Sequence, residues 1–385
     1  MRHRLVRLLA VAACTSLLAA CGGAHSAAVP TARGGLSPQL NGGPGNLGSL
    51  ATLYVSGQGA VFAYDLTASG NDAPVSKTTG YYYQAGGPGG VSASIAGIAT
   101  NAAGDLVLVQ NYKSPQGDGD SCQIVLIPAR TTTTAANATS GTCNNTEGGN
   151  TTGKAIGITY TGYSANSDIT SEIDVLMHYV HTGNSAVISC SHNTTDQYEI
   201  NRYSVANGSI VPDSCLEFPS GVTGTYHAIA GSTNGAFFVD YTPSSGSDTI
   251  ERYDSEGESP TATANIPGAG ALAVSVDTAT NTGYRVVAST VAGTTTIYNF
   301  RVQGATMTFT HALGTFANPV TALAVDNGGT VYVGVNQPNG VTKVKVYGPS
   351  KTEATAPDRV LNNPVRRPNP AASPAAAITG IAIAQ

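Results

Sequence analysis

The sequence has no tryptophan and few charged residues: Asp, Glu, Lys and Arg make up 11% of its 385 residues, against about 25% in an ordinary soluble domain. Exposed helix surfaces are built largely from Glu, Lys and Arg, so this deficit excludes a mainly helical protein. The formal charge is −5. Because a surface of that sign repels phosphate backbones, we expect no nucleic-acid partner.

In place of charge the chain has 46 glycines and 20 prolines, with 41% hydrophobic residues. That hydrophobic content is too high for a disordered chain, and glycine and proline mark turns. The composition therefore predicts a β-rich, turn-dense protein. The length predicts two to three domains or one large repetitive domain.

The first twenty residues have the pattern of an export signal. Arg2, Arg4 and Arg7 precede a short apolar run, Leu8 to Leu18, which is too short for a permanent membrane span. The run ends in Leu18-Ala19-Ala20-Cys21-Gly22 and resembles the lipobox of bacterial lipoproteins. That resemblance implies a signal peptide over residues 1–20 and lipidation of Cys21 with acyl chains such as palmitate. The alternative is an ordinary signal peptide with an incidental cysteine.

Lipidation would place the protein outside the cytoplasm, anchored to a membrane of the cell envelope. Gly22 rather than Asp follows the cysteine, so in a Gram-negative host the family's sorting rules imply the outer membrane. Residues 21–50 are rich in Gly, Pro, Ser and Asn without periodicity. This composition predicts a flexible tether that carries a folded domain over residues 51–385.

A short motif that begins with a small residue recurs along this domain. A turn follows most copies, then an apolar run, and then an amphipathic run that often ends in tyrosine, as at Tyr203, Tyr253 and Tyr347. Small residues suit the crowded axis of a radial fold, and wider outer strands accommodate aromatic side chains. The units are therefore interpreted as four-stranded β-propeller blades. The copies are Gly97-Ile98-Ala99, Gly157-Ile158-Thr159, Ala228-Ile229-Ala230, Ala271-Leu272-Ala273-Val274, Ala322-Leu323-Ala324-Val325-Asp326 and Gly380-Ile381-Ala382-Ile383.

The two ends of the domain complement each other. Leu53-Tyr54-Val55-Ser56 resembles a second strand with no inner strand before it, whereas Gly380 to Gln385 is an inner strand with nothing after it. The pattern predicts an all-β fold of six blades, closed when the C-terminal strand joins the N-terminal blade. A pair of β-sandwiches is the alternative, but it does not explain the complementary ends.

The last unit, Ala322 to Val333, resembles the repeats of NHL and SMP-30-like six-bladed propellers. SMP-30-like lactonases hold a divalent metal with acidic and amide ligands in the central channel, and streptogramin-lyase-like propellers use histidine and acidic groups beside a metal. Here the positions before the six inner strands supply one histidine and no carboxylate. They are Ala96, Ile156, His227, Gly270, Thr321 and Thr379.

We therefore expect His227, Thr321 and Thr379 to be possible ligand contacts in the channel, without a catalytic residue, metal or other cofactor. Four cysteines remain after export. Three pairings are possible, and the local one, Cys122–Cys143 with Cys190–Cys215, is favoured because each bridge would lie within one blade.

Together these observations predict a lipid-anchored, extracytoplasmic propeller that is more consistent with a binding scaffold than with an enzyme. We expect a monomer that presents loops to a protein, peptide or glycan. Two alternatives stay open: a metal-dependent lactonase or lyase acting in the central channel, and a structural envelope protein.

Overall fold

The computed structural model describes a chain that is folded into short antiparallel strands. Its described residues are 51–57, 59–79, 93–101, 104–113, 120–127, 139–142, 152–161, 172–180, 197–206, 209–218, 224–232, 235–254, 259–277, 283–290, 295–338, 340–365 and 377–384. Within these ranges, no helix has the length and apolar character needed to cross a bilayer. Residues 1–50, which hold the predicted signal peptide, Cys21 and the tether, lie outside the described residues.

The strands form six sheets of four, each hydrogen-bonded in one antiparallel series. The first three blades use β1 (Thr52–Gly57), β2 (Ala60–Asp65), β3 (Ser76–Thr79), β4 (Ala93–Thr100), β5 (Leu106–Lys113), β6 (Asp120–Ile127), β7 (Thr139–Thr142), β8 (Thr152–Tyr160), β9 (Glu172–Val180), β10 (Gln197–Ala206) and β11 (Ser209–Glu217). The remaining strands are β12 (Gly224–Gly231), β13 (Phe237–Pro243), β14 (Asp248–Tyr253), β15 (Ala262–Ile266), β16 (Leu272–Asp277), β17 (Gly283–Ser289), β18 (Thr295–Gln303), β19 (Thr306–Phe316), β20 (Val320–Val325), β21 (Val331–Asn336), β22 (Thr342–Tyr347), β23 (Arg359–Asn362) and β24 (Gly380–Ala384).

From the inner strand outwards, blade 1 is β24-β1-β2-β3, and blades 2 to 6 follow as successive groups of four from β4 to β23. The inner strands β24, β4, β8, β12, β16 and β20 contact one another in a closed cycle. The predicted six-bladed propeller is thus confirmed. The predicted closure is also confirmed, because β24 pairs with β1, with Ile381 opposite Val55 and Ile383 opposite Leu53.

The small residue of the repeat allows neighbouring inner strands to approach closely. A Cβ atom added to Gly97 would lie 3.1 Å from the Ile158 backbone nitrogen, and one added to Gly157 would lie 3.1 Å from Ile229 Cγ2. Gly380 has the same relation to Ile98, at 3.0 Å from Cγ1. Each small residue therefore receives the branched side chain of the next blade. This packing explains why the repeat pairs a small residue with Ile or Leu.

The turn after the inner strand has one design in blades 2, 4 and 6. In blade 6 the Asp326 amide donates to the Thr330 carbonyl and the Gly329 amide donates to the Asp326 carbonyl. Gly104, Gly235 and Gly329 adopt φ of 85°, 87° and 85°, a region that an L side chain rarely adopts. The glycine of this turn is therefore a backbone requirement in the segments that begin at Asn101, Ser232 and Asp326.

The tyrosines of the third strands are buried between blades, as the sequence predicted. Tyr203, Tyr253 and Tyr347 are each at most 2% exposed. The Tyr347 hydroxyl donates to the Ala354 carbonyl over 2.7 Å, and the Tyr64 hydroxyl of blade 1 donates to the Pro364 carbonyl over 2.6 Å. Buried aromatic area is thereby gained without leaving the polar end of the ring unpaired.

The two predicted disulfides fall partly outside the described residues. Cys122 is buried on β6 and Cys215 is half-buried on β11, but Cys143 and Cys190 are not among the described positions. Both pairings stay predictions.

We expect Gly97→Val to destabilise the ring by about 1–3 kcal/mol, because backbone atoms of blade 3 occupy the space that its side chain needs. Thermal unfolding followed by circular dichroism would measure the effect. The matched control is Ser94→Val, an exposed position on the same strand, which should change the melting temperature little. Equal melting temperatures for the two variants would contradict the close-packing account.

Candidate functional site

The inner strands surround a central channel with a volume of about 650 Å³, within the range of ligand pockets. Its wall is built from the repeated motif, so most of its side chains are Gly, Ala, Ile, Leu and Val. Such a wall offers few hydrogen bonds to a polar ligand. The polar groups lie at the two ends of the channel, where the strands enter and leave it.

One end, called here the amino-terminal mouth, is formed by the six residues that immediately precede the small residue of each repeat. In four blades this residue is a β-bulge, because the strand register skips it. A bulge re-aims a side chain that a regular strand would place on the sheet face. All six residues line the channel, as the sequence predicted: Ala96, Ile156, His227, Gly270, Thr321 and Thr379.

His227 is the only mouth residue with an ionisable side chain. It is exposed, and its Nε2 shares a hydrogen bond of 2.9 Å with Thr242 Oγ1 on β13. Partial burial of the ring lowers the pKa of His227, against the opposing charge of Asp248. The ring is therefore neutral at physiological pH, and it can donate or accept a hydrogen bond.

Thr321 and Thr379 are also exposed at the mouth, but both hydroxyls already serve the closure of the ring. Thr321 Oγ1 donates to the Ile378 carbonyl over 2.8 Å and accepts from Asn336 Nδ2 over 3.0 Å. Thr379 Oγ1 lies 3.1 Å from Ser56 Oγ. These contacts bind blade 6 and β1 to the segment that carries β24. The two threonines thus have a structural role, with limited remaining capacity for a ligand.

Asp240 lies behind the mouth and was not predicted. It is fully buried on β13, and the Gly270 amide of the crossover to blade 5 donates to its Oδ2 over 2.8 Å. Its Oδ1 has no hydrogen-bond partner among the described residues. Burial raises the pKa of Asp240 to about 7, with a smaller contribution from the charge of Asp248. A buried carboxyl oxygen without a partner commonly marks the position of a water, ion or ligand group.

The crossover beside Asp240 has little room for variation. The Ala271 amide donates to Ser289 Oγ over 2.9 Å, and a Cβ atom on Gly270 would lie 2.6 Å from the Ser289 carbonyl oxygen. Gly270 is therefore held against blade 5 on one side and against Asp240 on the other. Asp240 positions this part of the mouth, because its carboxyl group fixes the Gly270 backbone.

A second ionisable cluster lies in blade 3, and the sequence pattern did not reveal it either. Arg202 Nε is 3.4 Å from both Glu172 Oε1 and Asp174 Oδ1, and the guanidinium packs over the Phe237 ring of blade 4. Thr161 Oγ1 donates to Asp174 Oδ2 over 3.1 Å. Burial raises the pKa of Glu172 to about 7. This cluster connects two blades, and its members do not line the channel.

Among the described side chains, no group of three or more His, Cys, Asp or Glu residues is arranged to hold a metal ion. His227, Asp240 and Asp248 lie in the same part of blade 4 without forming such a group.

Comparison with known proteins adds a resemblance in fold. No protein-family model matches the chain, and no curated protein matches it. Among solved structures, Sqt1 from Chaetomium thermophilum has 13% identity and a TM-score of 0.37, over 81% of this chain and 68% of that one. The β-propeller domain of the Trilobed protease from Pyrococcus furiosus has 7% identity and a TM-score of 0.36, over 70% of each. Values this low say nothing about what this chain binds.

We expect Asp240→Asn to change the pH dependence of stability. The folded protein keeps the Asp240 proton up to about pH 7, whereas the unfolded chain releases it near pH 4. The stability that the protonated Asp240 contributes to the wild type is therefore lost as the pH rises between these two values. The melting temperature of the Asn variant minus that of the wild type should therefore be greater at pH 8 than at pH 5, by about 3 °C or more.

Ser289→Ala is the matched control, because it removes a non-titrating group at the same crossover. It should lower the melting temperature by similar amounts at pH 5 and pH 8. If the difference in melting temperature between Asp240→Asn and the wild type were also the same at pH 5 and pH 8, it would contradict the raised pKa of Asp240.

Proposed function

We propose that this protein is a lipid-anchored, extracytoplasmic binding protein whose propeller captures a ligand at the amino-terminal mouth. The observation that carries the proposal is the ring of re-aimed residues at the mouth. Four bulges at equivalent positions turn side chains toward the opening. Bulges recur at binding and active sites for this reason.

The chemistry at the mouth favours binding over catalysis. His227 is neutral and hydrogen-bonded to a threonine, and Asp240 is sealed behind the Gly270 backbone. The hydroxyl group that is hydrogen-bonded to His227 belongs to Thr242 of β13, outside the mouth ring. The ring can offer hydrogen bonds and contact surface, which are sufficient for recognition of a protein, peptide or glycan.

The cellular part of the proposal rests on the sequence. A charged segment, a short apolar run and Leu18-Ala19-Ala20-Cys21 stand in the order that lipoprotein signals require. Acyl chains on Cys21 would hold the propeller at the membrane surface, since each buried methylene contributes about 0.8 kcal/mol. The segment over residues 22–50 would then separate the mouth from the bilayer.

Cys21→Ser should move the protein from the membrane fraction to the soluble fraction, because the acyl chains lose their attachment atom. Immunoblots of fractionated cells, after a high-salt wash of the membranes, would measure the shift. Cys14→Ser is the matched control: it lies in the apolar run but not at the lipobox, and it should stay in the membrane fraction. Persistence of the Cys21→Ser protein in washed membranes would contradict lipid anchoring.

Photochemical crosslinking would test ligand capture at the mouth. We expect full-length protein with benzoylphenylalanine at Ala96, a mouth position, to form a covalent adduct in envelope preparations. The same probe at Thr308, exposed on the outer strand β19, should form at least five-fold less. Gel electrophoresis and mass analysis of the adducts would measure the ratio. Equal adduct yields at the two positions would contradict a binding role for the mouth.

A further inference from the structure

A row of side chains crosses blade 3 beside the mouth. Strand register places Lys154 of β8 opposite His178 of β9, and His178 opposite Tyr198 of β10. Lys154 stands two residues before Ile156 of the mouth ring. The row therefore starts at the mouth and runs outwards over two strand spacings, about 10 Å.

The row presents an aromatic platform at its outer end. The rings of His178 and Tyr198 are stacked, with centroids 4.3 Å apart and planes at 15°, and both side chains are half-buried. Tyr198 also reaches Tyr226 at 5.5 Å between centroids. Tyr226 is buried between the blades, so the exposed connection between the platform and the mouth runs along the row, through Lys154 of β8.

The charges along this surface have both signs and are few. Lys154 is exposed on the row, whereas Asp248 lies within electrostatic reach of His227 and Asp240. A polyanion would be repelled by the carboxyl groups and by the net negative charge of the chain. A polycation would be repelled by Lys154. The surface instead combines stacked rings with neutral hydrogen-bonding groups.

A sugar ring matches this combination. Its C–H face packs on aromatic rings, and its hydroxyl groups both donate and accept hydrogen bonds, as His227 and Thr242 do. Mouth and platform together span more than one sugar unit, which favours a chain over a monosaccharide.

We propose that the amino-terminal mouth and the His178–Tyr198 platform bind a neutral polysaccharide, with one sugar unit on the stacked rings and the next at the mouth. This inference rests on the proposed binding function and assigns it a ligand class. Tyr198 acts as a contact surface, so its ring matters more than its hydroxyl.

Affinity electrophoresis of the full-length Cys21→Ser protein would test the proposal, with native gels that contain laminarin, mannan, xylan or hydroxyethylcellulose. At least one of these neutral polysaccharides should retard the protein. Tyr198→Ala should weaken that binding at least ten-fold, and Tyr198→Phe should retain it because the ring remains. Tyr298→Ala, a half-buried tyrosine of blade 5, is the matched control and should bind as the parent does.

Folding of each variant would be checked by its melting temperature. Because the chain has no tryptophan, quenching of tyrosine emission on titration with the retarding polysaccharide gives a second readout, which Tyr198→Phe should reduce while binding persists. Mobility unchanged in all four gels would overturn the saccharide assignment. Retardation that Tyr198→Ala and Tyr298→Ala share equally would overturn the role of the platform.

The outcomes also separate this inference from the function it rests on. A peptide adduct on the Ala96 probe, with no retardation in any gel, would leave a binding mouth and reject the saccharide. Equal adducts from Ala96 and Thr308 together with Tyr198-dependent retardation would reject the mouth and leave a saccharide platform on blade 3. Retardation together with a carbohydrate adduct at Ala96 supports both.

Discussion

The contact on which this fold depends is the insertion of a branched side chain of one inner strand against the small residue of its neighbour. Gly97, Gly157 and Gly380 each leave room for an isoleucine of the next blade, and alanines take the same position in the other three repeats. A ring closes only if this contact is repeated around the axis. The last contact requires β24, so the C-terminal strand must join the N-terminal blade.

The same constraint determines where side chains can vary. At the small positions of the repeat, a larger side chain would separate the inner strands. At the amino-terminal mouth, side chains leave this packing at the residue before the small position, where the bulges lie. Support for this end of the channel comes from the second strand, as Asp240 shows.

The architecture could be predicted because a short sequence pattern that is repeated in each blade determines it. The inner motif, the turn that follows it and the tyrosine that ends a third strand each have a fixed physical cause. No sequence signal marks the bulges, because the residues that they turn toward the channel opening include alanine and isoleucine. Asp240 and Arg202 were missed for another reason: each occupies a position typical of a solvated strand face, and only a neighbouring blade, through Gly270 or Phe237, reveals that it is buried.

The six mouth positions differ in how firmly the ring holds them. Its six positions hold Ala, Ile, His, Gly and two Thr within one molecule, on otherwise equivalent strands. Gly270 is fixed by Ser289, and Thr321 by its bonds to Ile378 and Asn336. Ala96 and Ile156 pack against the hydrophobic clusters between blades, whereas His227 is exposed and bonds only within its own blade among the described contacts. Since the inner packing lies one residue further along the strand, the side chain at position 227 can differ without disturbing it. A scaffold of this kind separates what holds the ring together from what the ring recognises.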